Sequence, residues 1–179
     1  MSGAHFNPAV TLAVLFKEGS ANWMRNFTFA IMLWVCQGIG GLIGTAIAAG
    51  AFSYTKQADA TKIAEKAYAV LQLCPSNGCN DGGEIILKVF FAEAVATFIF
   101  ISFVLMIKKH NGSSQMPINA ICIGASLFLG ITLASGISGG CLNPVVGFFQ
   151  SNFQKFANTT IYPNAPETSL IYVPAYIFG

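Results

Sequence analysis

Charge is what this sequence has least of. Nine lysines and arginines and seven aspartates and glutamates make up 9% of its 179 residues, where an average soluble domain has about a quarter. With 54% hydrophobic residues and a mean hydropathy of +0.62, the chain has too little polar surface to face water all round, which points to a membrane. The net charge of +2 is scattered along the loops, so there is no basic stripe and no nucleic acid is expected as a partner. Cys36, Cys74, Cys79, Cys122 and Cys141 show no metal-ligand spacing, because only Cys74 and Cys79 lie close together and no histidine is beside them. They read as buried thiols plus one candidate loop disulfide, Cys74 to Cys79, and no metal is expected. No nucleophile, base and orienting group fall together and there is no cofactor loop, so neither an enzyme nor a bound cofactor is expected. Met1 leads straight into Ser-Gly-Ala-His, without the basic stretch and apolar core of a signal peptide, and this abrupt start implies missing N-terminal sequence.

Long uncharged runs are what the chain has instead. No charge lies between Arg25 and Lys56, and residues 27–52 exceed the roughly 20 apolar residues that carry a helix across a bilayer. Residues 85–107 form a second span, with Lys88 near its edge and Glu93 well inside it, and residues 118–135 form a third. Between the first two, residues 54–83 are polar and turn-rich and read as one long loop, with room for a surface helix over TKIAEKAYAVLQL. Residues 169–179 open a last span that stops at Gly179, so C-terminal sequence is expected to be missing too. Gly40 and Gly44 make a small-xxx-small pair, expected to let a neighbouring helix of the same fold approach closely. Lys17, Arg25, Lys108 and Lys109 favour a cytoplasmic placement for both of their segments. The intervening Lys56, Lys62, Lys66 and Lys88 weaken that inference, and the sequon at Asn158-Thr159-Thr160 offers a cross-check from the other side.

Two stretches do not fit ordinary spans. SGAHFNPAV at 2–10 and SGGCLNPVV at 138–146 each place Asn-Pro after Ser-Gly and before small apolar residues. Asn is a strong N-cap and Pro is favoured at the first helical position, so a helix is expected to begin abruptly at Asn7-Pro8 and again at Asn143-Pro144. Each apolar continuation is about ten residues, only half the hydrocarbon thickness at about 1.5 Å per residue. The half-helices are therefore expected within 1–18 and 138–153. Irregular backbone at membrane depth is tolerated only where it is buried in protein or lines a wet cavity, so the pair argues for a cavity. If each carboxamide oxygen caps its own helix, its NH2 is expected to be free to point into that cavity. Each helix N-terminus adds roughly half a positive charge, which favours solute oxygens and repels cations. A weak similarity between residues 33–41 and 171–179, at nearly equal distances from the two motifs, is consistent with an internal duplication.

SGAHFNPAVT resembles, almost letter for letter, the first signature of the major intrinsic proteins, the aquaporin and glycerol-facilitator family, and SGGCLNPVVG resembles a divergent second one. CQGIGGLIG is similar to that family's third transmembrane helix and FAEAVATFIF to its fourth, including the buried acid at Glu93. The resemblance implies an all-α membrane protein, a single aquaporin-like helical bundle with two re-entrant half-helices. It implies a homotetramer with one pore per subunit, a lipid bilayer around it, and water or small uncharged solutes as the permeants. The chain is expected to lack the family's first two spans and most of its last. At the filter this sequence departs from the pattern: the second motif has Val145 for alanine, and Val146 stands where the family has arginine. Ile131 corresponds to the histidine of water-selective members, Gly140 to the loop position three before the second Asn, and Gly147 to the acid of many glycerol facilitators. An apolar, wider filter is therefore expected, leaning on the Asn caps for selectivity, because valine offers neither charge nor hydrogen bonds. His5 matches the histidine of the first signature, as pore lining or as loop packing. Glu93 is expected to brace the loop rather than to move protons. The expected function is a passive channel; the alternatives are a truncated, nonconducting subunit that assembles with homologues and an alternating-access transporter, for which Glu93 alone offers ion-coordinating chemistry.

Overall fold

The computed structural model describes residues 5–55, 84–110, 116–161 and 171–179. Residues 56–83, with Cys74, Cys79 and the expected surface helix, lie outside the described residues, as does the side chain of Asn158; residues 54 and 55 of the expected 54–83 loop belong to a helix. The described residues form six helices: α1 (Pro8–Glu18), α2 (Trp23–Thr55), α3 (Ile86–His110), α4 (Met116–Ser135), α5 (Pro144–Ile161) and α6 (Val173–Phe178). Three of them contain stretches long and apolar enough to cross a bilayer, at Trp23–Ala48, Ile86–Lys109 and Pro117–Ser135.

Helix α3 organises the packing because its inward residues recur at three- and four-residue spacing. Val89, Glu93, Ala96, Phe100 and Val104 are all buried and fall on one stripe. At one end of the stripe, Ile85 and Val89 pack with Cys141, Tyr172, Ala175 and Tyr176. At the other, Ala96, Phe100 and Val104 pack with Val10, Ala134 and Leu142. Phe98, Leu87, Ile121 and Phe128 point outward and are strongly exposed, which suits a lipid solvent and would be costly in water.

Glycine sets how closely the helices approach, but not at the positions the spacing singled out. Among the described residues a Cβ at Gly40 or Gly44 would meet nothing, whereas one at Gly41 would overlap the Val145 side chain and come within 3.0 Å of Phe149. One residue is a rotation of about 100° around a helix, so the surface of α2 that receives α5 is that of Gly41. Gly130 plays the same part for α4, where a side chain would collide with Leu142.

Helix α5 also differs from expectation. It runs 18 residues, to Ile161 rather than 153, because the polar stretch after Gln150 keeps Phe153 and Phe156 at helical spacing and contains no proline or glycine to stop it. Helix α1 keeps the short form at 11 residues and ends at Gly19, whose φ of 70° is left-handed.

Candidate functional site: two Asn-Pro turns at one cavity

Both turns start their helices in the same way. Asn7 sits in extended backbone, and its Oδ1 accepts from the Ala9 N–H at 2.9 Å. The Asn143 Oδ1 accepts from the Val145 N–H at 3.1 Å. The backbone carbonyls of Asn7 and Asn143 receive the first helical bonds, from Thr11 and Gly147 at 3.0 and 2.9 Å. This is N-capping with proline at the first helical position, twice.

The amide nitrogens do something the local sequence does not reveal. Asn7 Nδ2 donates to the Leu142 carbonyl at 2.7 Å, and Asn143 Nδ2 donates to the Phe6 carbonyl at 3.1 Å. Each carboxamide therefore grips the residue just before the other asparagine, and the two helix starts are clasped tip to tip. The expectation that each NH2 is free to point into the cavity is corrected: one of its two hydrogens holds the opposing turn.

The backbone leading into the second turn is unusual. Gly139, Gly140 and Leu142 have φ of 92°, 73° and 51°. Gly140 has no alternative, since a Cβ there would come within 2.7 Å of the Ile131 carbonyl. For Leu142 the left-handed conformation costs about 1–2 kcal/mol, yet the residue is buried and its peptide is held from both sides. Its carbonyl accepts from Asn7, and its N–H donates to Glu93 Oε2 at 2.7 Å.

Glu93 is the anchor of this segment. It is buried to 1% exposure, and its Oε1 accepts from the Cys141 N–H at 2.9 Å and from the Ser138 hydroxyl. Tyr176 completes the brace by donating its hydroxyl to the Ser138 carbonyl at 2.7 Å. The first turn is braced from α2: Gln37 Nε2 donates to the His5 carbonyl at 2.7 Å and to Thr11 Oγ1 at 2.9 Å, and Trp34 Nε1 donates to the Pro8 carbonyl at 3.3 Å.

A cavity of about 580 Å³ opens beside the clasp, and Asn7, Asn143, Ile131, Gly140 and Val146 all border it. Phe100, Val104, Ile123 and Leu127 supply most of the remaining apolar wall, with Gln150, Cys141 and Lys108 among its polar members. Three residues singled out in the sequence are not on this wall. Pro8 and Pro144 set their helix starts, and His5 borders a second cavity of about 450 Å³, lined by residues further along α1, by α2 and again by Lys108. Ser138, Gln37 and Tyr176 lie inside stretches the sequence singles out, SGGCLNPVV, CQGIGGLIG and residues 171–179, but their bracing contacts are long-range and no local pattern announces them. Lys108 reads in the sequence only as an orienting charge, although it is the next member of the four-residue stripe after Val104.

The model of the family described as "Major intrinsic protein" matches residues 1–75 and 84–162. Aquaporin-8 of Notomys alexis is 32% identical over 148 residues, covering 83% of this chain and 50% of that protein; Aquaporin-8 of Rattus norvegicus is 31% identical over the same length. A protein named "Glycerol uptake facilitator protein-like 6" from Lactiplantibacillus plantarum is 28% identical over 174 residues, covering 96% of this chain and 71% of that one. The chain thus spans about half the length of the aquaporin-8 relatives it matches. No solved structure matches it. Two capped, mutually clasped Asn-Pro turns, three bilayer-length helices and a family match over most of the sequence lead to one conclusion: the chain is an integral multi-pass membrane protein and belongs to the major intrinsic protein family.

Proposed function

We propose that the chain is the pore-bearing part of a passive channel for water and small neutral solutes. The reciprocal clasp of Asn7 and Asn143 beside a single cavity is the observation that carries this reading. Each asparagine retains one amide hydrogen to offer a passing oxygen, and the N-termini of α1 and α5 meet there, so roughly half a positive charge from each discourages cations. Exclusion of cations by half-helix dipoles and pore-lining donors is the known device of aquaporin-type pores. Apolar walls elsewhere would keep the solute weakly held, as rapid passage requires. The outward-facing apolar side chains of α2, α3 and α4 would be covered by lipid and by further copies, in the tetramer the family resemblance implies.

Osmotic shrinkage of vesicles reconstituted with the chain tests the proposal. Shrinkage several-fold faster than that of empty vesicles, without saturation as solute concentration rises, is expected. Rates equal to those of empty vesicles would overturn the reading, and saturation would favour a carrier. The filter assignment has its own test. Val146→Arg should restrict the polyols that pass and reduce any cation leak, because it places a full charge and several donors on the cavity wall. Equal passage of larger polyols in both forms would remove Val146 from the constriction.

A further inference from the structure

The filter position has lost its cation, since valine occupies 146, yet the cavity is not without one. Lys108 borders the larger cavity together with both asparagines, and it also borders the smaller cavity with His5, Lys17 and Glu18. It thus stands where the two spaces adjoin. Its position follows from the helix: Phe100, Val104 and Lys108 are four residues apart, and the first two are buried against the clasp. The ammonium is held in place, with Nζ 2.9 Å from His5 Nε2. His5 is itself fixed through its carbonyl by Gln37, two residues before Asn7. Lys17 and Glu18 stand beside it on the smaller cavity only, with the Lys17 Nζ donating to the Leu105 carbonyl at 3.3 Å. Lys109, the next residue along α3, is exposed and borders neither cavity.

We propose that Lys108 is a specificity-determining residue of the conduit, a fixed cation at the junction of the two cavities that rejects protons and metal cations in place of the missing filter charge. The inference rests on the channel reading. An ammonium on a half-buried wall is screened far less than one in bulk water, so its field acts on any cation that must pass it. A neutral solute meets no such barrier and can accept a hydrogen bond from the same group. Selection against charge would then have two stages, the helix N-termini at the clasp and Lys108 beside it.

The test reads the collapse of an imposed proton gradient beside osmotic shrinkage, in vesicles holding the unaltered chain or K108M, K108Q, K108R or K109M. K108M and K108Q are expected to raise the proton leak about tenfold while still shrinking faster than empty vesicles. K108R and K109M are expected to leak as the unaltered chain does. The inference is overturned if the neutral variants conduct water and leak no more than the original, or if K109M leaks as much as they do. It is also overturned if both neutral variants lose water conduction while K108R keeps it, since Lys108 would then be only a tether. Vesicles in which the unaltered chain fails to conduct would instead sink the channel reading, and this inference with it.

Discussion

Glu93→Ala is expected to unfold the second turn and, on the channel function proposed above, to abolish conduction with it. The carboxylate is almost fully buried and accepts from the Cys141 and Leu142 N–H groups and from the Ser138 hydroxyl. Alanine leaves two backbone donors without an acceptor at membrane depth, each costing about 1–3 kcal/mol, and removes charge-assisted bonds besides. A loss of about 4 kcal/mol would lower the unfolding midpoint in detergent micelles by roughly 10 °C. Glu93→Gln should fall between, because one oxygen survives while an NH2 faces a donor. An unchanged midpoint for the alanine variant would mean that the 138–142 segment finds other acceptors. The left-handed Leu142 makes that outcome hard to reach, since its strain is held in check by those same bonds.

The second large effect is expected at the clasp itself. Asn7→Ala or Asn143→Ala removes a helix cap, worth about 1 kcal/mol, and also the hydrogen bond from the side-chain NH2 to the opposing carbonyl, which for Asn7→Ala leaves the buried Leu142 carbonyl unpaired. Each single substitution should cost about 2–3 kcal/mol. The double variant should cost about 1 kcal/mol less than the sum, because the first loss already loosens the junction that the second would disturb. Asn→Asp at either site separates the two roles: the cap acceptor remains, but the donor is gone and a negative charge faces a carbonyl. Such a variant should keep its helix start while losing stability and, on the proposed channel function, the rejection of cations. Additive costs in a thermal-unfolding cycle would show that the two asparagines act independently.

What was legible in the sequence was local. Asn and Pro announce a helix start within four residues, and an uncharged run announces a span, because in both cases the physics is contained in neighbouring residues. Helix phase was less legible. Gly40 and Gly44 have the spacing of a packing pair, but the packed face belongs to Gly41, and only the position of α5 decides which face is covered. The partner of each asparagine was out of reach altogether, since Asn7 and Leu142 are 135 residues apart and no local pattern encodes that pairing. Glu93 stood out as an ionisable residue within a span, although the three donors it serves lie far along the chain. Lys108 read as a marker of helix end and orientation, and only its place on the Phe100–Val104 stripe hints at an inward role. The length of α5 follows the helical spacing of the residues after Gln150 rather than the half-bilayer thickness that predicts an end near 153.

The tip-to-tip clasp has a consequence for biosynthesis. While the ribosome is still making the chain, the first turn emerges well before residue 142 exists, so the Asn7 NH2 must wait for its Leu142 acceptor through most of synthesis. Three long hydrophobic helices must be made and placed before the two tips can meet. The N-terminal half is thus finished only by the C-terminal half, and a nascent chain released before the second Asn-Pro would have its first turn braced from α2 but the Asn7 NH2 still without the Leu142 carbonyl.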